Sequence, residues 1–421
     1  MNRKLINKKY KAGALQYVVL ISLLIFFLVG MFMLRAHYSN QMLNQVLIQE
    51  NLMDHLESAK ILMKNNPELI ENEGLIEINL FDTPSSVVKV DVKSWGVYKK
   101  LLIKTAWQNH KREECFLLGD NIWEDDRPSL FLTDKNRYLS VCGETWLGGP
   151  VQLPALGVRK SYVDGVGYYR ESAVQGEILR SGQNLPALRS DLNQLFQAAF
   201  KIDFQRDSIL LWENVRIDSI SNSFRNKTLC LWSPEPMTLS NIILKGNIRL
   251  VSKQEVQLGG SVKLDQCIIA APKISFANNF KGRVQAFATD TVYVGNNSHF
   301  LFPSVIYMNG SNAKKELTLK GNVRYAGEIV VDGMNTNDFP TIKIGQESKI
   351  EGFVYCNGTV ELEGDVAGSL YTNRFILRTP SALYENHLLN NRLDISDLNV
   401  NYVGVSWFEN PKRKQYLECL F

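Results

Sequence analysis

The chain has 421 residues, of which 45% are hydrophobic and 21% charged, a composition that excludes a disordered polyelectrolyte. A formal net charge of +4 is accounted for by a basic leader (Arg3, Lys4, Lys8, Lys9 and Lys11), so the remainder is near neutral and no nucleic acid is expected as a partner. Six cysteines without a CxxC pair and five scattered histidines argue against a zinc site.

Residues 14–34, "ALQYVVLISLLIFFLVGMFML", carry no charge and are long enough to cross a bilayer as a helix. Basic residues crowd the N-terminal side. The positive-inside rule therefore leaves residues 1–13 in the cytoplasm and sends the rest across the membrane. The run is too long for a cleavable signal and lacks a small-x-small site, so an uncleaved anchor is expected. Met42, Val46, Leu52, Leu56, Ala59 and Met63 continue an amphipathic pattern as a stalk helix over 35–66, ended by Asn66-Pro67. Its apolar seam is a surface for protein partners or for the protein's own body.

A basic leader, Gly13, an apolar helix and an amphipathic extension together resemble the N-terminus of type IV pilins and pseudopilins. That resemblance implies cleavage by a prepilin peptidase between Gly13 and Ala14, and helix packing in a filament core. The chain departs from the family at Ala14, where a bulky residue is usual, and at Val18, where major pilins carry a glutamate. A minor subunit is the closer likeness.

Residues 67–165 read as a small antiparallel β domain, with Val88-x-Val90-x-Val92 alternating and Ser94-Trp95-Gly96 suited to a hairpin turn. Trp95, Trp107, Trp123 and Trp146 are expected in its core. Cys115 and Cys142 flank a segment able to fold back on itself, which allows one disulfide; buried free thiols are the alternative. Residues 166–239 form a connector with one helix over 185–202.

From 240 to 380 short β segments alternate with Gly, Asn and Asp, as in "TVYVG", "ELTLKG" and "TIKIG". Within 349–373 the chain repeats itself at an interval of sixteen: Ile350, Gly352, Val354, Tyr355 and Asn357 correspond to Val366, Gly368, Leu370, Tyr371 and Asn373. Ladders of like residues one turn apart, with strands about 4.8 Å apart, are the mark of a β-solenoid. "FKGRVQAFA" (280–288) echoes the pattern. A β-sandwich is the competing architecture. The short glycine-led rungs resemble bactofilins, polymer-forming β-helices. Residues 381–421 make a cap and tail, with "SALYENHLLNNRLDI" expected as a helix covering the open end of the stack.

The fold class expected is therefore mainly β: a long N-terminal transmembrane and stalk helix, a small antiparallel domain, and a C-terminal parallel β-helix. Glu351, Glu361, Glu363 and Asp365 are the acids a polysaccharide-cleaving β-helix would use, but sixteen-residue stacking sets Ala367 beside Glu351 and Lys349 beside Asp365. There is no GxSxG, HExxH or phosphate-loop motif. No catalytic residue, metal or cofactor is assigned. The function expected is a membrane-anchored structural protein of the bacterial inner membrane with a periplasmic ectodomain, a minor component of a type IV pilus, type II secretion or DNA-uptake system. Alternatives are an envelope scaffold binding cell-wall polysaccharide and a membrane-tethered polysaccharide hydrolase or lyase.

Overall fold

A computed structural model describes residues 13–80, 87–107, 109–121, 127–310, 314–333, 339–408 and 414–420; residues 1–12 of the basic leader and Trp123 lie outside them. The chain divides into two compact units. One comprises Met1–Lys60, Glu77–Lys89 and Lys104–Glu113, and the other Ile61–Ile76, Val90–Ile103 and Glu114–Phe421.

In the first unit most of one helix, α1 (Gly13–Asn65, 53 residues), dominates. At 1.5 Å per residue it is about 80 Å long. It is long and apolar enough to cross a membrane. Large apolar side chains from Leu15 to Leu47 are exposed, Met42 and Val46 among them, whereas Leu52, Leu56 and Ala59 are fully buried. The amphipathic seam is thus satisfied only in its C-terminal part. The same unit buries Val88 and Thr105, the Thr105 hydroxyl standing 3.4 Å from the Leu52 carbonyl, and pairs Lys89 with Glu77 at 2.6 Å.

The second unit takes up α1 at its end, where Asn66 leaves helical geometry (φ −124°, ψ 77°) ahead of Pro67. Its side chain donates to the Leu62 carbonyl at 2.7 Å, satisfying one of the last free carbonyls.

Strands β1 (Gly74–Asn79), β2 (Val87–Trp95), β3 (Tyr98–Trp107) and β4 (His110–Asn121) follow one another in a single sheet. The turn between β2 and β3 needs Gly96 at φ 63°. The antiparallel domain expected over 67–165 is only partly present. β4 is paired by the chain's far end, antiparallel to Val403–Gly404 and to Lys414–Leu420. Leu130–Leu132, Trp146–Gly148 and Val151–Leu153 leave that domain altogether and join a parallel sheet.

Among the described residues that sheet has 22 strands, paired parallel except for Leu383–Glu385, which runs antiparallel to Asp365–Arg378. Its ladder runs through Lys263–Phe276, Lys281–Val294, His299–Met308, Arg324–Val331, Lys349–Leu362 and Asp365–Arg378. Ile350 pairs with Val366, Gly352 with Gly368, Val354 with Leu370 and Tyr355 with Tyr371. Parallel pairing departs from the antiparallel sandwich considered as the alternative. Gly327, Gly352 and Gly368 stand in one column at φ 143–146°. A Cβ on Gly352 would sit 2.0 Å from the Gly327 carbonyl oxygen, so glycine is required there on two counts. Gly282 of the 280–288 echo falls elsewhere, pairing with Phe300 in the column of Ile350.

These strands are buried on both faces, which is why they read as near-continuous apolar runs. One face, with Ile350, Val354, Val366 and Leu370, belongs to the largest apolar cluster. The other, with Phe353, Tyr355 and Tyr371, is covered by α2 (Leu192–Phe200) and by Val405 and Trp407. The helix expected over 185–202 is thus shorter. Tyr371 stacks on Phe131 and Phe408 (ring centroids 5.3 and 5.7 Å), and these rings, rather than Tyr355, are its stacking partners.

The helix expected over residues 381–395 is absent. Leu383–Glu385, His387–Leu389 and Arg392–Asp394 are strands, separated by Asn386 and Asn390 in left-handed conformation (φ 54° and 59°). A helix cannot pass through such residues. Leu393 pairs with both Val366 and Leu147, so the parallel ladder continues past residue 378 into sequence-early rungs instead of ending there.

Candidate functional site

Among the described residues no three His, Cys, Asp or Glu side chains converge as a metal site would require. The four acids weighed for glycan cleavage do not converge either. Glu351 faces Lys349 at 3.5 Å, Glu361 faces Arg378 at 3.4 Å, and Asp365 accepts the backbone N–H of Arg392 at 2.8 Å. Glu363 is exposed. Gly13 and Ala14 are the first residues of α1, Ala14 being exposed. Cys115 and Cys142 are not brought together: Cys115 packs in the cluster of Trp95 and Phe287, Cys142 with Val163 and Leu377, and both are free thiols.

A first groove, of about 730 Å³, follows a polar column on the parallel sheet. Pairing of Met308 with Val331 and Val331 with Cys356 sets Asn309, Asp332 and Asn357 on successive rungs, and Asn373 comes next. Asn373 donates to the Asn357 side chain at 3.0 Å, Asn357 donates to Asp332 at 3.0 Å, and the Thr133 hydroxyl donates to the Asn373 carbonyl at 3.0 Å. Beside the column run Tyr307 and Tyr355. Burial holds both phenols protonated, and that of Tyr355 donates to the Pro186 carbonyl at 3.2 Å, pinning the segment that forms one wall. On the opposite wall the Arg374 guanidinium lies 5.0 Å from the ring of half-exposed Phe339. Regularly spaced amides beside an aromatic edge can recognise a linear, hydroxyl-rich ligand by hydrogen bonds.

A second cleft, of about 830 Å³, is lined by Lys93, Lys100, Arg206, Arg225, Lys227 and Arg249 among others. Asp91 pairs with Lys93 at 2.6 Å, and Asp207 with Arg249 at 2.5 Å. Arg249 also donates to the Ala198 carbonyl at the end of α2. Lys100 is the unusual member. It is buried, its ammonium lies 5.7 Å from the Phe224 ring, and burial lowers its pKa.

A third cluster is closed to solvent. Glu328 accepts hydrogen bonds from the Val405 backbone at 3.0 Å and from the Trp407 indole. Burial, joined by the Asp120 charge, pushes its carboxyl up to about 7 against the pull of Arg127 and these two donors. Around it the Tyr98 and Tyr402 hydroxyls are buried without a hydrogen-bond partner among the described residues. Its role is to fasten the residues around Trp407 to the ladder.

Of these groups the sequence singled out Tyr355, Asn357 and Asn373, as members of the sixteen-residue repeat, but not the cleft's charged residues or Glu328. Lys100 had a signal, since it interrupts the period-two apolar set Tyr98, Leu102. Glu328 had another, as the one charge in "AGEIVV". No protein-family model matches the chain, and neither does any curated protein or solved structure.

Proposed function

We propose that the protein is a membrane-anchored interaction protein, held by residues 14–34 in a bacterial inner membrane, with its N-terminus cytoplasmic and a periplasmic β body. Its parallel rungs wind as a β-solenoid of bactofilin-like kind. It serves as a minor pilin- or pseudopilin-like component of a pilus, type II secretion or DNA-uptake assembly, and not as an enzyme. The observation that carries this reading is the division of α1. Leu15 to Leu47 are left exposed while Leu52, Leu56 and Ala59 are buried. More than thirty residues of exposed apolar helix are stable only in lipid or against other helices. N-terminal sequencing of the protein from cells with and without a prepilin peptidase tests it: a terminus at Ala14 only where the peptidase is present supports assembly, and an intact leader in both removes it.

A second reading, an envelope scaffold holding cell-wall polysaccharide, is favoured by the amide column Asp332, Asn357, Asn373 in the first groove. Co-sedimentation with purified peptidoglycan, lost on changing Phe339 to alanine, supports it. Equal sedimentation of both forms removes the groove from the account.

A further inference from the structure

Strand β3 places Tyr98, Lys100 and Leu102 on one face, and its two flanking members belong to the apolar cluster of Trp95 and Phe224. An ammonium in such a position loses hydration and needs an acceptor in return. Among the described residues Lys100 has no hydrogen bond or ion pair; its Nζ rests over the Phe224 ring, 5.7 Å from the centroid. An aromatic face returns only part of the lost solvation. The neighbouring carboxylate, Asp91, is already engaged by Lys93 at 2.6 Å.

The wider cleft has the same imbalance. Among the described residues seven lysine and arginine side chains line it against four carboxylates, an excess of three positive charges in a chain that is otherwise near neutral. Asp207 is used by Arg249 and Asp203 is turned toward Arg206 at 3.8 Å. Arg225 and Lys227 stand exposed at the edge, the latter donating to the Gln205 carbonyl at 3.1 Å. Low-dielectric walls beside like charges focus the field on whatever enters. The volume, about 830 Å³, is that of a small-molecule site.

We propose that this cleft binds a compact oligophosphate group, with the Lys100 ammonium as its buried anchor and Lys227 closing on it from the rim. Phosphate fits best because a lysine ammonium serves it as a point charge while an arginine fork takes two of its oxygens. Several phosphates together match an excess of several charges. The cleft lies wholly within the second unit, so this binding is independent of how α1 is used.

The test is calorimetric titration of inorganic tripolyphosphate into the full chain in nanodiscs of zwitterionic lipid, with citrate as a second anion. Saturable one-to-one binding is expected, weakening as salt rises from about 50 to about 200 mM. Lys100→Met, which keeps the stem against Phe224, should weaken it by about tenfold or more. Lys227→Glu, an exposed change that leaves folding alone, should weaken it by several-fold. Absence of saturation, or unchanged affinity in both variants, overturns the site. Citrate binding as tightly as tripolyphosphate overturns the assignment to phosphate. A melting temperature for Lys100→Met at or above that of the parent shows that the lysine is kept at a cost to stability and supports the proposal.

Discussion

The side-chain amide of Asn373 donates to Oδ1 of Asn357 at 3.0 Å, and Asn357 passes the same bond on to Asp332. Residues from three rungs are thereby joined in a single chain of polar contacts on a half-buried surface. Replacing Asn357 with alanine removes a donor from Asp332 and an acceptor from Asn373 together. The expected loss is about 1–3 kcal/mol, since both partners keep the desolvation cost without the bond. Chemical denaturation of the full chain checks it, and an unchanged midpoint would show that water replaces the amide without loss.

Gly352 sets a harder limit. Its φ of 143° and a Cβ-to-carbonyl distance of 2.0 Å to Gly327 mean that alanine must displace backbone. Gly352→Ala is expected to cost more than about 3 kcal/mol, strain and clash acting together. Gly157→Ala is the control: φ is 73° but nothing lies within 4 Å, so about 1 kcal/mol is expected. Equal losses in the two variants would mean that conformation alone, and not the rung-to-rung approach, demands glycine at 352.

The same column shows why only part of the ladder could be read from the sequence. Lys349 pairs with Asp365 sixteen residues on, without a bulge as far as Cys356, so like residues recur at a fixed interval. Elsewhere the interval changes: Lys263 pairs with Lys281, but His299 with Arg324, and register shifts intervene. Leu130 pairs with Leu370, a partnership that no local pattern signals, and its neighbours were therefore grouped with the preceding strands. In "SALYENHLLNN" the leucine spacing suits a helix as well as strands; the left-handed backbone at Asn386 and Asn390 decides for strands. The apolar run of α1 was legible because a membrane-length helix is specified by its own residues alone. Lys100 and Glu328 were not, because an isolated charge in a strand reads as solvent-facing until the partner face is known.

The cysteines give a direct chemical check. Cys115, Cys142, Cys230, Cys267 and Cys356 are buried free thiols, and Cys419 is exposed. Burial raises the Cys115 thiol to about 11, which holds it as the unreactive protonated form at neutral pH. Thiol labelling of the native protein should therefore modify Cys419 first and the others only on unfolding. Rapid native labelling of two or more, or a Cys115–Cys142 bridge on a non-reducing gel, would contradict the packing.

Glu328 makes stability depend on pH in a direction opposite to that of most carboxylates. Its ordinary value is 4.5, and burial raises it to about 7 in the folded chain, with Arg127, the Val405 N–H and the Trp407 indole opposing and Asp120 assisting. Tyr98, Tyr325 and Tyr402 face the same group. Between these values the folded state holds a proton that the unfolded state has released. The stabilisation is therefore full below about pH 4.5 and is lost as pH rises through about 7. Over that interval the loss is on the order of 3 kcal/mol. His387, whose pKa burial lowers, acts in the reverse sense below its ordinary 6.5, and Asp397, lowered first by its hydrogen bond from Arg392, matters only in more acid solution. The measurement is thus the difference between Glu328→Gln and the parent, by denaturation at steps from pH 5 to pH 8. Relative to the parent, the variant should gain stability as pH rises to about 7 and level off above it, because an amide still accepts from Trp407 or Val405 but never ionises. A difference that stays constant over this range would mean that Glu328 keeps its charge in the folded protein, with Arg127 as sufficient partner.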